Sequence, residues 1–169
     1  MKLLAAVLMC AAFAGATFAA DEAKSPSKYG AEFLKHWANA KELTVAVAEA
    51  MPAGDYGFKP NPEEMSFGEQ IAHIAAANYS YCARMSGAKS PFAKPANYEK
   101  ATVMKLVGES FDYCTEAVKN LTDEQFNETK GPMTVREYTE GVMMHMAHHR
   151  GQTEVYLRLK NIKPPAYKF

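Results

Sequence analysis

Net charge is the first thing this sequence lacks. Nineteen Lys and Arg residues balance nineteen Asp and Glu residues. There is no basic cluster and no acidic tail, which argues against nucleic acid as a partner. Cysteine is scarce, with only Cys10, Cys82 and Cys114, and no Cys-x-x-Cys-His run exists to attach haem covalently. The His-Glu-x-x-His of zinc proteases is missing, as are the paired Glu-x-x-His motifs of di-iron bundles. No segment alternates with strand period, and no internal repeat is evident. Ten methionines raise copper or non-covalent haem. Met1 and Met9 lie in the N-terminal leader, and most of the others fall on apolar stripes or in loops, so core filling is the better reading. The 169 residues suffice for one domain with a sizeable core.

Long apolar runs are also rare: there is one, at the N-terminus. Lys2 supplies a short positive region, Leu3 to Phe18 is apolar and rich in small residues, and Thr17-Phe18-Ala19-Ala20-Asp21 offers a signal-peptidase site after Ala19 or Ala20. As a membrane anchor the run falls just short of the ~18–20 residues that span a bilayer. Residues 1–20 therefore read as a signal peptide and 21–169 as the mature domain, periplasmic or secreted. Cys82 and Cys114 remain. An even pair in an exported chain invites a disulfide; the alternative is two buried free thiols.

What is present is helical. Ser25-Pro26 reads as a cap followed by proline at the first helical position. Phe33, Trp37, Ala40, Thr44, Val47 and Met51 then form one stripe, with His36 beside it on the solvent side. Pro60 and Pro62 make 55–65 a linker. Ser66-Phe-Gly-Glu69 is a capping box, and the helix it opens carries Ile71, Ile74, Asn78, Tyr81 and Met85 to a stop at Ser86-Gly87. The connection 87–97, with Pro91 and Pro95, is too long for a tight helical hairpin and implies a crossover. A third helix, from about Tyr98 to Asn120, turns Val103, Val107, Phe111, Cys114 and Val118 inward. Thr122 to Gln125 and Thr134 to Glu137 repeat the capping pattern, the second opening a fourth helix. Asn161 closes that helix, and Pro164-Pro165 bars its continuation. The fold class is all-α: a four-helix bundle with a long crossover between helices two and three.

That crossover bears on the cysteines. Each lies about sixteen residues, or ~24 Å, into its helix. Parallel helices put the two level, while antiparallel ones separate them by over ~10 Å, too far for a bridge.

The fourth helix carries the chemistry. Val135, Tyr138, Val142, His145, His149, Gln152, Tyr156 and Leu159 step by three and four along one seam. His145 and His149 stand one turn apart where leucine is expected, a spacing that lets two imidazoles reach one metal ion. His148 points about 100° away from His149. A lone histidine there reads as a satisfied core residue, but two require either two satisfied rings or two desolvated charges. His73 of the second helix, with Ala76, Ala77 and Ser80 leaving room beside it, is the natural third ligand. Three histidines without a fourth protein ligand make an open site of catalytic type, whose water falls in pKa toward ~7. Gln152, Asn78 and Tyr81 are candidates to orient the rings. Glu69, one turn before His73, reads as a cap rather than a general base, because its Ser66 partner is explicit.

Three stretches resemble one family. Tyr56-Gly-Phe-Lys-Pro60, Ser66-Phe-Gly-Glu-Gln-Ile-Ala-His-Ile74 and above all His145-Met-Ala-His-His-Arg-Gly-Gln152, continuing through Tyr156-Leu-Arg158 to Ile162-Lys-Pro-Pro165, are similar to the DinB/YfiT-like four-helix bundles of the DinB superfamily. The resemblance implies a divalent metal, zinc or nickel, on His73, His145 and His149. It also implies metal-dependent transferases and isomerases that use low-molecular-weight thiols. Such thiols are mainly cytosolic, so the export signal argues against one here.

The expectation is an exported metalloprotein, a hydrolase or transferase acting on a small molecule. It needs no nucleic acid, has no membrane contact once the leader is gone, and has room for a homodimer. The alternatives are a non-catalytic module that holds metal or a small ligand, and a plain bundle with buried histidines.

Overall fold

The computed structural model describes residues 27–167. The proposed signal peptide and the Ser25-Pro26 cap lie outside them. The first described cap is Ser27, whose side chain accepts from the Gly30 amide and opens α1 (Lys28–Ala50). The stripe from Phe33 to Met51 is buried as expected. A 3-10 turn, Ala53–Asp55, leads into the linker. The Ser66–Glu69 capping box then opens α2 (Phe67–Ser86), which Gly87 ends at φ 71°. This left-handed conformation costs glycine nothing. α3 (Lys100–Val118) follows, then the short α4 (Asp123–Asn127) behind the Thr122 box. Thr134 caps α5 (Val135–Leu159), and Asn161 closes it at φ 59°.

Cross-helix pairs fix the topology. Gly68 lies against Tyr98, Asn78 donates to Ser110 at 3.1 Å, and Cys82 is bonded to Cys114. The numbers rise together, so α2 and α3 run parallel. Residues 87–99 therefore cross back along the bundle. Their extended reach of ~43 Å exceeds the ~30 Å length of α2. The parallel arrangement brings the two cysteine Cα atoms to 5.2 Å, inside the bridging limit of about 7 Å. α1 runs antiparallel to α3, with Trp37 donating its indole N–H to the Phe111 carbonyl at 3.1 Å and Lys100 pairing with Glu49 at 3.0 Å. α5 runs antiparallel to α2 and parallel to α1. The four long helices thus go up, down, down, up. Their shared core holds Trp37, Phe67, Ile71, Phe111, Phe126 and Tyr138, each worth ~1.5–3 kcal/mol of burial.

Two expectations need correction. Thr129–Lys130 (β1) and Met133–Thr134 (β2) form a small antiparallel hairpin around Gly131-Pro132; two-residue strands carry no readable period. The buried side of α5 carries Val135, Tyr138, Val142 and Tyr156 of the expected seam together with Thr139, Met146, Arg150, Thr153 and Leu157, whereas Leu159, assigned to the seam, is 55% exposed. Within that seam His145 and His149 face α2 and are only half-buried.

Candidate metal centre

The α2–α5 pairing sets the three imidazoles. Antiparallel packing brings His73 level with the turn between His145 and His149, and the ring centroids stand 4.5–4.9 Å apart. One ring nitrogen from each lies within 4.8 Å of the others, and this is the one such cluster among the described residues. The three predicted ligands thus come together. His148 is exposed, though its ring still lies 4.9 Å from that of His149. His36, read as solvated, is half-buried and lines a groove between α1 and α5.

The donors fit a divalent ion. His73 Nε2 and His145 Nε2 face each other at 3.2 Å, close to the roughly 3.3 Å expected between two nitrogens on one tetrahedral zinc at ~2.0–2.1 Å. His149 Nδ1 lies 2.8 Å from Gln70 Oε1. A carboxamide oxygen only accepts, so the ring carries its proton on Nδ1 and keeps a lone pair on Nε2.

The surroundings favour the neutral form of two of the rings, His149 and His145. Burial, then His145, His73 and His148, press the His149 pKa down to about 4. Burial, then His73 and His148, also lower that of His145. Neutral imidazole is the ligating form. Gln152, one turn beyond His149, works against the shift there, although its buried carboxamide oxygen makes no hydrogen bond of good geometry.

The residues expected to orient the rings are only partly the right ones. Asn78 is buried between α2 and α3 and bonds Ser110, away from the cluster. Tyr81 does flank His145, at 6.2 Å between centroids, lying over Gly141. Glu69 accepts from the Ser66 amide at 2.7 Å and stands 3.7 Å from Lys59, as its capping role requires. Those contacts hold its carboxyl below the usual range. Gln70 was missed: it is a polar residue only 1% exposed, and its signal was a buried amide inside the motif that carries His73.

Residues 36–153 match the DinB superfamily. YjoA of Bacillus subtilis, an uncharacterized protein, is 25% identical over 136 residues, covering 75% of this chain and 88% of that protein. The crystal structure of that DinB-like protein matches with a TM-score of 0.69 at 24% identity, over 81% of this chain and 97% of the other. A DinB-like protein from Bacillus cereus matches with a TM-score of 0.71 at 20% identity, over 80% and 95%. At such identities the structural likeness speaks for the fold.

Proposed function

This chain belongs to the DinB superfamily, and on that premise we propose that it is an exported metalloprotein using His73, His145 and His149 to hold a divalent ion, zinc or nickel, in a hydrolase or transferase that acts on a small molecule. The observation that carries the reading is the convergence of three imidazoles from two helices within 4.8 Å. Such a set leaves coordination positions open. Bound there, the ion supplies Lewis acidity. The protein's own part is to favour the neutral form of His149 and His145, with the exposed His148 beside His149 and Tyr81 beside His145 placed next to the trio. The bond between Cys82 and Cys114 supports export, because disulfides persist in oxidising compartments. No helix of the described residues is long and apolar enough to cross a membrane.

One observation favours a second reading, a non-catalytic metal- or ligand-binding module. Glu69, the carboxylate one turn before His73, is committed to the Ser66 cap and is not free to act as a base. A screen of small esters, amides and thiol acceptors against metal-loaded protein separates the two. Turnover abolished by chelation and by His145→Ala supports the enzyme; metal binding without turnover supports the module.

A further inference from the structure

Gln70 is joined to more than His149. Its Nε2 lies 3.5 Å from the Tyr156 hydroxyl, and that hydroxyl donates to the Met65 carbonyl at 3.0 Å. The directions of these bonds can be read from one end to the other. A backbone carbonyl only accepts, so the Tyr156 proton is spent on Met65. The hydroxyl then offers Gln70 only lone pairs, which call for the amide NH₂ on that side even at this length. The carboxamide oxygen is left facing His149 Nδ1, and the ring must carry its proton there. Gln70 is 1% and Tyr156 4% exposed, so water does not scramble the assignment. Phe58 of the linker packs edge-on against Tyr156 at 6.2 Å, and the Phe58 carbonyl receives the Phe67 amide at 3.0 Å. The far end of the chain is therefore anchored to the start of α2.

From this we infer that Gln70 is a positioning residue that fixes His149 in its Nδ1–H tautomer, with Tyr156 and the Met65 carbonyl setting the orientation of its amide. His149 is then the pre-organised member of the trio. The Nε2 atoms of His145 and His73 hydrogen-bond each other, and His145 Nδ1 is buried without a hydrogen-bond partner. Neither ring has a comparable constraint among the described residues. An unconstrained imidazole side chain favours the opposite, Nε2–H tautomer, which would block the ligating nitrogen.

The inference rests on the metal reading for its consequence, but not for its test. Long-range ¹H–¹⁵N spectra of metal-free protein at pH 8 report the His149 tautomer directly, and zinc titration against a chelating dye reports affinity. Wild type should show Nδ1–H. Gln70→Leu should release the ring toward Nε2–H and weaken zinc binding by about 10–100-fold. Gln70→Glu keeps an acceptor and should retain both the tautomer and the affinity to within a few-fold. Should Gln70→Leu fail to fold, Tyr156→Phe, which frees the amide to turn over, should show the same tautomer change in smaller measure. An Nε2–H ring in wild type overturns the inference, as does an unchanged Nδ1–H ring in the variants that remove the constraint. Wild-type protein that binds no zinc would instead defeat the metal reading, and the tautomer spectra would still judge Gln70.

Discussion

His149 is a side chain on which the surroundings act strongly. Its folded-state pKa of about 4 lies below the ~6.5 of an unfolded chain, so protons favour the unfolded state. The metal-free protein keeps this contribution in full above pH ~6.5 and loses it as the pH falls toward about 4. An NMR titration of the metal-free protein should give a His149 midpoint near 4, and a midpoint near ~6.5 would contradict the described burial. The histidine cluster was legible because two histidines stood on an apolar seam with a third on a neighbouring helix. Gln70 was not, because its role depends on how Tyr156, far away in sequence, meets it across the α2–α5 interface. Asn78 shows the converse: its position on the same stripe as Ile71 and Ile74 gave no sign that it bonds across to α3.

At the scale of elements, the apolar stripes of the long helices and the boxes that open α2, α4 and α5 could be read directly, since a Ser or Thr followed three residues later by Glu or Gln specifies a start without tertiary help; α1 instead starts from Ser27 rather than Ser25, and α3 has no side-chain cap. All three boxes form both of their bonds. What could not be read was how closely the elements approach. A Cβ on Gly68, in the first turn of α2, would meet the Tyr98 backbone carbonyl at 2.3 Å, whereas one on Gly108, inside α3, would meet nothing within 4 Å. The same substitution should therefore act in opposite directions. Gly68→Ala should cost about 1–3 kcal/mol by forcing backbone apart, and Gly108→Ala should stabilise by about 0.5–1 kcal/mol through helix propensity. Urea unfolding of the two variants tests this, and a destabilised Gly108→Ala beside an unchanged Gly68→Ala would show the packing to be wrong. The hairpin at 129–134 escaped sequence reading because each strand is too short to alternate, and Leu159 was misassigned because the seam turns outward over the last helical turn.

The whole molecule is defined by the crossover, which makes α2 and α3 parallel and sets Cys82 beside Cys114 at a sequence separation of 32. Thiol titration of unreduced, denatured protein should find no free thiol in the mature chain. Reduction should cost about 3–4 kcal/mol through the unfolded-state loop it releases. Two titratable thiols would contradict the bridge. The length and prolines of 87–97 made the crossover legible, while the pairing of the cysteines stayed open until the helix directions were known. Export belongs to this scale too: N-terminal sequencing of the mature protein should begin at Ala20 or Asp21, and a soluble chain beginning at Met1 would rule export out. The central claim, that His73, His145 and His149 form a metal site, is tested most directly by elemental analysis of protein purified from its native compartment. The account predicts bound zinc or nickel in wild type, a sharp loss in His149→Ala, and near wild-type content in His148→Ala and His36→Ala. Metal-free wild type, or equal losses in all three variants, would contradict it.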